Sequence, residues 1–349
     1  MIDFVAGTRP ELVKIAPIAK KLKRSEYRLV FTGQHYDYNM SLQFMEELEI
    51  EADVSKKLIE TEPLSQMAEM IKFLSSSFVK NHPEYSVVVG DTNSTLAGTL
   101  AALKRGVKPV HVEAGLRSYD WRMAEEHNRI MCDHISEVLC APTKGNRRTL
   151  EGEHVHGRVY VTGNTVIDAV GQNISKAIKN CKLDIPDDYV LLTLHRAENV
   201  DDGRTLATII KGISEMNEEI VFPVHPRTRK RLKEFGLLDK IRRNVKLIEP
   251  VGYFDFLALM KKCKLVITDS GGVQEECTVP AISKFAVVLR KSTERVESVE
   301  RGYSVLPKLE RQPIINAIKK KLAEGQPKIK TSPYGDGNAG ERIAKILTR

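Results

Sequence analysis

Leu265-Val266-Ile267-Thr268 runs without a break into Asp269-Ser270-Gly271-Gly272-Val273-Gln274-Glu275-Glu276. A β-branched run that passes through Ser-Gly-Gly into a helix-like segment is how a parallel strand delivers a diphosphate to a helix N-terminus. Gly271 and Gly272 let the backbone approach a ligand closely, and the Ser270 hydroxyl is a donor. Unpaired amides and the helix dipole favour the anion. Glu276, about one helical turn further on, is placed to accept from a ribose diol. The chemistry expected is recognition of a nucleotide or nucleotide-sugar; the alternative is a tight strand-to-helix turn with no ligand.

Two further pairs follow apolar runs in the same half. His195-Arg196 comes directly after Leu191–Leu194, and His225-Pro226-Arg227 after Ile220–Val224. Cations at successive strand ends can neutralise a departing diphosphate. In the first half the strand ends carry carboxylates instead. Asp91 follows Val87–Val89 and Gly90, Glu113 follows Pro109–Val112, and Glu125-Glu126 opens a helical segment. Asp91 can be a helix cap and Glu125 can simply suit a helix dipole, but Glu113, before Ala-Gly, has no such structural role. Neighbouring carboxylates raise one another's pKa, so Asp91, Glu113 and Glu125 around one sheet edge could work as acid and base near neutral pH. Arg9 sits in the turn Gly7-Thr8-Arg9-Pro10-Glu11 after the first strand, with Lys14 one turn later. That turn contains no G-x-G-x-x-G, so a nicotinamide dinucleotide is not indicated. The nine histidines show no ligand spacing, and no metal site is expected.

These residues need a scaffold that brings strand ends together, and the chain is patterned for one. Apolar runs of four to six residues alternate with helix-period segments: Ile2–Ala6, Arg28–Phe31, Ser86–Val89, Pro109–Val112, Val138–Ala141 and Val159–Val161. Tyr189–Leu194, Ile220–Pro223, Val245–Ile248, Leu265–Thr268, Phe285–Leu289 and Tyr303–Leu306 follow. Such alternation implies right-handed βαβ units and parallel sheets. A helix is expected over Pro10–Arg24, kinked at Pro17. The alternation restarts after Thr165–Cys181 and the polar break Leu183–Asp188. The fold class expected is therefore α/β, with two Rossmann-like, doubly wound parallel-sheet domains facing a central cleft. The turn-rich segment Thr331–Asn338 precedes a last helix over Ala339–Thr348.

Composition agrees with a globular enzyme. The chain has 349 residues, 42% hydrophobic and 29% charged, which suits two domains of ordinary size. Net charge is +8, but only 6% of residues are aromatic and they do not interleave with the basic clusters. An anionic small substrate is favoured over nucleic acid. The five cysteines are scattered with no CxxC pair, and no apolar run approaches the ~18 residues that a membrane helix needs. The N-terminus opens on a strand rather than a signal peptide, so a cytoplasmic protein is expected.

The motifs, in order, are Gly7-Thr8-Arg9-Pro10-Glu11, Thr32-Gly33-Gln34-His35, Gly90-Asp91-Thr92, His111-Val112-Glu113-Ala114-Gly115-Leu116-Arg117, Glu125-Glu126-His127-Asn128-Arg129, Gly163-Asn164-Thr165, His195-Arg196-Ala197-Glu198-Asn199 and Thr268–Glu276. Together they resemble the non-hydrolysing UDP-N-acetylglucosamine 2-epimerases over nearly the whole chain. The resemblance implies the glycosyltransferase-B fold, with an N-terminal domain over 1–168, a UDP-binding domain over 169–334, and a terminal helix in 335–349 that packs back on the first domain. It implies interconversion of UDP-N-acetylglucosamine and UDP-N-acetylmannosamine by anti elimination of UDP and its re-addition, with no cofactor. By the same resemblance Asp91, Glu113, Glu125 and His195 are catalytic. Arg9, Lys14, Arg196, His225, Ser270, Gly271, Gly272 and Glu276 bind substrate. Gln34-His35 falls where bacterial relatives bind an allosteric activator, and a homodimer is expected. The open alternatives are a hydrolysing epimerase, a retaining glycosyltransferase, and a nucleotide-sugar-binding protein without catalysis.

Overall fold

The computed structural model describes residues 1–33 and 44–349. Gln34-His35 lies outside the described residues. The chain forms two compact units, Met1–Ala169 with Tyr334–Arg349, and Val170–Pro333.

In the first unit the parallel strands are β1 (Ile2–Ala6), β2 (Tyr27–Phe31), β3 (Val54–Ser55), β4 (Tyr85–Val89), β5 (Lys108–Val112), β6 (Val138–Ala141) and β7 (Arg158–Val161). Among the described residues they form one sheet in the order β3-β2-β1-β4-β5-β6-β7. All five residues of β1 are buried, as helices on both faces of a parallel sheet require. The second unit holds β8 (Tyr189–Thr193), β9 (Glu219–Pro223), β10 (Val245–Ile248), β11 (Leu265–Thr268), β12 (Ala286–Val288) and β13 (Ser304–Val305), ordered β10-β9-β8-β11-β12-β13. Each order reverses once, between β1 and β4 and between β8 and β11. Ligands of such sheets bind beyond the strand ends at that reversal, where the flanking loops diverge.

Two sequence expectations need correction. The helix foreseen over Pro10–Arg24 spans only Arg9–Ala19. Pro17 falls in its last turn, where a missing N–H ends the helix rather than bending a longer one, and Lys20 N–H closes it on the Ala16 carbonyl at 3.0 Å. Val54–Ser55 was missed because a two-residue edge strand is too short to show a period.

The first unit closes on the far end of the chain. Ile343, Ala344 and Leu347 of the helix Ala339–Leu347 are buried. Its first amides have no side-chain cap from Asn338; the Asp168 carboxylate accepts from Ala339 at 3.2 Å and Gly340 at 2.8 Å. Gly340 is needed because a Cβ there would lie 2.5 Å from the Pro17 carbonyl oxygen.

Candidate active site

At the β1/β4 reversal the first turn is organised by Glu11. Its Oε2 accepts the N–H groups of Gly7 at 2.9 Å and Thr8 at 2.7 Å. Its Oε1 accepts the hydroxyls of Thr92 and Ser94, both at 2.8 Å. A buried carboxylate thus fills the place where a Rossmann turn would hold a phosphate, and it ties the ends of β1 and β4 together. Arg9 stands at the start of the helix above it, half-buried, with no ion pair among the described residues.

Beyond β5 the backbone of Glu113 is left-handed, with φ at 70°. A non-glycine residue in that region is uncommon and costs about 1–3 kcal/mol, which surrounding structure must supply. Glu113 is 2% exposed. Its Oε1 accepts the Asn164 side-chain amide at 2.7 Å, and its Oε2 pairs with the Lys14 ammonium. Asp91 is paired differently, accepting Arg129 Nε at 3.0 Å and Nη2 at 2.5 Å. Each of these carboxylates thus has a cation beside it, Lys14 at Glu113 and Arg129 at Asp91.

The adjacent acids Glu125 and Glu126 separate cleanly. Glu126 is fully buried and accepts the N–H groups of Ser118 and Tyr119 and the Arg129 guanidinium, so it fixes the loop before its helix. Glu125 is half-buried, with no hydrogen bond among the described residues.

In the second unit Asp269 does for β8 and β11 what Glu11 does for β1 and β4. Its buried carboxylate accepts the N–H of His195 at 3.1 Å and of Arg196 at 3.0 Å, with His195 Nδ1 3.1 Å away. Burial opposes its charge, but the His195 side chain, the Arg196 amide and Asn199 outweigh burial and hold it below the usual carboxylate range. The Arg196 side chain also donates from Nε to the Asp269 carbonyl at 3.0 Å. The His225 ring centroid is 6.5 Å from that of His195, and its Nδ1 accepts the Arg227 N–H at 3.2 Å.

The Ser-Gly-Gly turn is as the sequence suggests, with one addition. Ser270 Oγ accepts the Val273 N–H at a long 3.5 Å, which leaves its hydroxyl proton free to donate elsewhere. A Cβ on Gly272 would meet nothing nearer than Ser270 Oγ at 3.9 Å, whereas one on Gly271 would collide with Glu294. Gln274 and Glu275 face inward. Gln274 donates to the Arg295 carbonyl at 3.0 Å and Ser298 Oγ at 2.6 Å, and Glu275 pairs with Arg295 at 2.8 Å. Glu276 is buried near Tyr253, whose hydroxyl is pushed well up by burial and then by the nearby Glu276 charge.

A family model described as UDP-N-acetylglucosamine 2-epimerase matches residues 19–348. The UDP-N-acetylglucosamine 2-epimerases of Methanococcus maripaludis and Methanocaldococcus jannaschii are 40% and 42% identical to this chain, over 99% of it and 98% of each of them. The crystal structure of the Methanocaldococcus jannaschii UDP-GlcNAc 2-epimerase in complex with UDP-GlcNAc and UDP matches with a TM-score of 0.92 and 41% identity, covering 99% of both chains. This chain belongs to the UDP-N-acetylglucosamine 2-epimerase family.

For a member of this family, the first-unit strand ends bring together Lys14 with Glu113, and Asp91 with Arg129; the second-unit ends bring together His195, Arg196, Ser270 and their neighbours. Sequence reasoning missed Glu11, Arg129, Asn164 and Asp269 as organising residues. The three-residue spacing of Glu126 and Arg129 on one helix face was a usable signal for that pair. The motif Gly163-Asn164-Thr165 marks Asn164 as notable but not its partner, since it reaches Glu113 across 51 positions. Among the described residues no group of His, Cys, Asp or Glu is arranged to hold a metal, and no helix is long and apolar enough to cross a membrane.

Proposed function

We propose that this protein is a non-hydrolysing epimerase that interconverts UDP-N-acetylglucosamine and UDP-N-acetylmannosamine. C2–H of the sugar is not adjacent to a carbonyl, so its direct removal is very difficult. Breaking the C1–oxygen bond to UDP first gives C1 oxocarbenium character and acidifies C2–H. A carboxylate takes that proton to give 2-acetamidoglucal, and UDP keeps the bonding electron pair. Protonation at C2 from the other face and re-addition of UDP at C1 give the epimer. The hydrogen leaves and returns as a proton, so the sequence of steps needs no redox partner.

The observation that carries this reading is Glu113: buried, held at a left-handed φ, and gripped on both oxygens by Asn164 and Lys14. A carboxylate fixed that firmly is suited to abstract a proton from carbon. Asp91 and Glu125 supply the proton traffic for the opposite face. In the second unit His195, Arg196, the Ser270 hydroxyl and the Gly271–Gly272 amides stabilise the departing diphosphate, with His225 alongside and Glu276 toward the ribose. The same reading makes the protein a cytoplasmic homodimer.

Incubating purified protein with UDP-N-acetylglucosamine in D₂O, without added NAD, tests it by proton NMR. Deuterium at C2 together with UDP-N-acetylmannosamine is the expected result. Free N-acetylmannosamine with UDP would identify a hydrolysing enzyme instead. UDP binding without C2 exchange would identify a transferase or a binding protein.

A further inference from the structure

The buried His111 ring belongs to β5 and plays no part in the chemistry above, yet both of its nitrogens are closely partnered. Its Nδ1 lies 2.7 Å from Asp133 Oδ1, and its Nε2 lies 2.7 Å from the carbonyl oxygen of Gly90. A peptide carbonyl can only accept. Asp133 is committed as an acceptor as well, since its Oδ2 takes the Gly115 N–H at 3.1 Å and the Arg117 guanidinium at 2.7 Å. Two acceptors facing one imidazole require a proton on both nitrogens.

The backbone around it shows what such a ring would hold. Gly90, at φ 80°, is the link between β4 and Asp91. Its N–H donates to the Val112 carbonyl at 3.0 Å, and its carbonyl accepts from the His111 ring. Gly90 is therefore clipped, through its N–H and its carbonyl, to the two residues that precede Glu113. We propose that His111 is a constitutively protonated positioning residue that sets Asp91 against Glu113 by clamping the Gly90 carbonyl. This rests on the assignment of those two carboxylates in the epimerase reading. His111 touches no reacting atom.

The charges facing the ring support a permanent cation. Asp133 approaches from the helix Ala124–Ile135. Arg117, from the loop after β5, sits on the other oxygen of Asp133 and is itself paired with Glu153 at 2.7 Å. The row runs plus, minus, plus, minus and closes neutral, which is what keeps a buried charge affordable. Burial works against the imidazolium and Arg117 repels it, but the Asp133 carboxylate and the Gly90 carbonyl outweigh both and raise its pKa above the ordinary histidine value.

Two substitutions divide the ring's two bonds. His111→Gln keeps a donor near the Nε2 position, toward Gly90, and His111→Asn keeps one near Nδ1, toward Asp133. For C2 exchange on UDP-N-acetylglucosamine, His111→Asn should lose about 10–100-fold in kcat with KM within about threefold, and His111→Gln should recover most of that loss. Equal loss in both variants, or a loss that follows thermal stability alone, would overturn the positioning role. If neither variant folds, the wild-type protein with ¹⁵N-labelled histidine decides the charge: both ring N–H signals should persist as pH rises past the usual imidazole midpoint near 6.5. A single ring N–H, or titration near neutrality, overturns it. Wild-type protein that exchanges no C2 proton overturns the epimerase reading and the positioning role together, while the ring spectra still report the charge state independently.

Discussion

The side-chain amide of Asn164 donates to Oε1 of Glu113 at 2.7 Å, in a site where both residues are buried. With Lys14 on the other oxygen, the Glu113 carboxylate is held by a neutral and a charged partner. Removing the neutral partner leaves the charge but loosens its aim. Asn164→Ala should lower kcat about 10–100-fold with little change in KM, the effect of losing one hydrogen bond to a charged group. Glu113→Gln should cost about 10²–10⁴-fold, as expected for loss of a general base. Steady-state kinetics beside circular dichroism melts checks both; full activity in Glu113→Gln removes Glu113 from the chemistry, and full activity in Asn164→Ala removes Asn164 from aiming it.

Asp269 gives a pH prediction of definite sign. Its folded pKa is depressed, because the gain from His195, the Arg196 amide and Asn199 exceeds the cost of burial. A depressed carboxylate contributes stability that is present above its unfolded pKa, near 3.9, and is lost as pH falls through the folded value. Asp269→Asn should therefore be less stable than wild type by about 1–3 kcal/mol at neutral pH. The difference should shrink in acid, below about pH 4. Thermal melts across pH show it; a gap that widens on acidification would reverse the assignment.

Gly340 makes a purely steric prediction. A valine there would drive its Cβ into the Pro17 carbonyl, across the packing of the helices Ala339–Leu347 and Arg9–Ala19. Overpacking of this kind costs about 1–3 kcal/mol. The melting temperature should drop by several degrees, with the shift measured by calorimetry; an unchanged value would mean that the last helix does not pack as described.

Much of this architecture was legible because parallel strands buried on both faces write themselves as short apolar runs. Ile2–Ala6, Val138–Ala141, Val245–Ile248 and Leu265–Thr268 have the same bounds in the sequence pattern and in the fold. The turns after them were legible as well, since a Gly, Ser or charged residue directly past such a run has few reasons to be there. What stayed hidden is pairing at a distance. Glu11 reads as an ordinary first-turn acid, yet it binds the hydroxyls of Thr92 and Ser94. Asp269 reads as part of the Ser-Gly-Gly turn, yet it spends its carboxylate on the loop after β8. Glu125 and Glu126 are alike on paper; only the folded loop shows which one the amides of Ser118 and Tyr119 consume.

The return of the chain to its first unit bears on how the protein is made. Tyr334 is fully buried there, and its carbonyl accepts the N–H of Asn164, the residue that aims Glu113. During synthesis Val170–Pro333 emerges as one uninterrupted stretch and can complete its own sheet. The earlier-made unit must wait with an open flank until Tyr334–Arg349 leaves the ribosome. The part translated first is thus the part finished last.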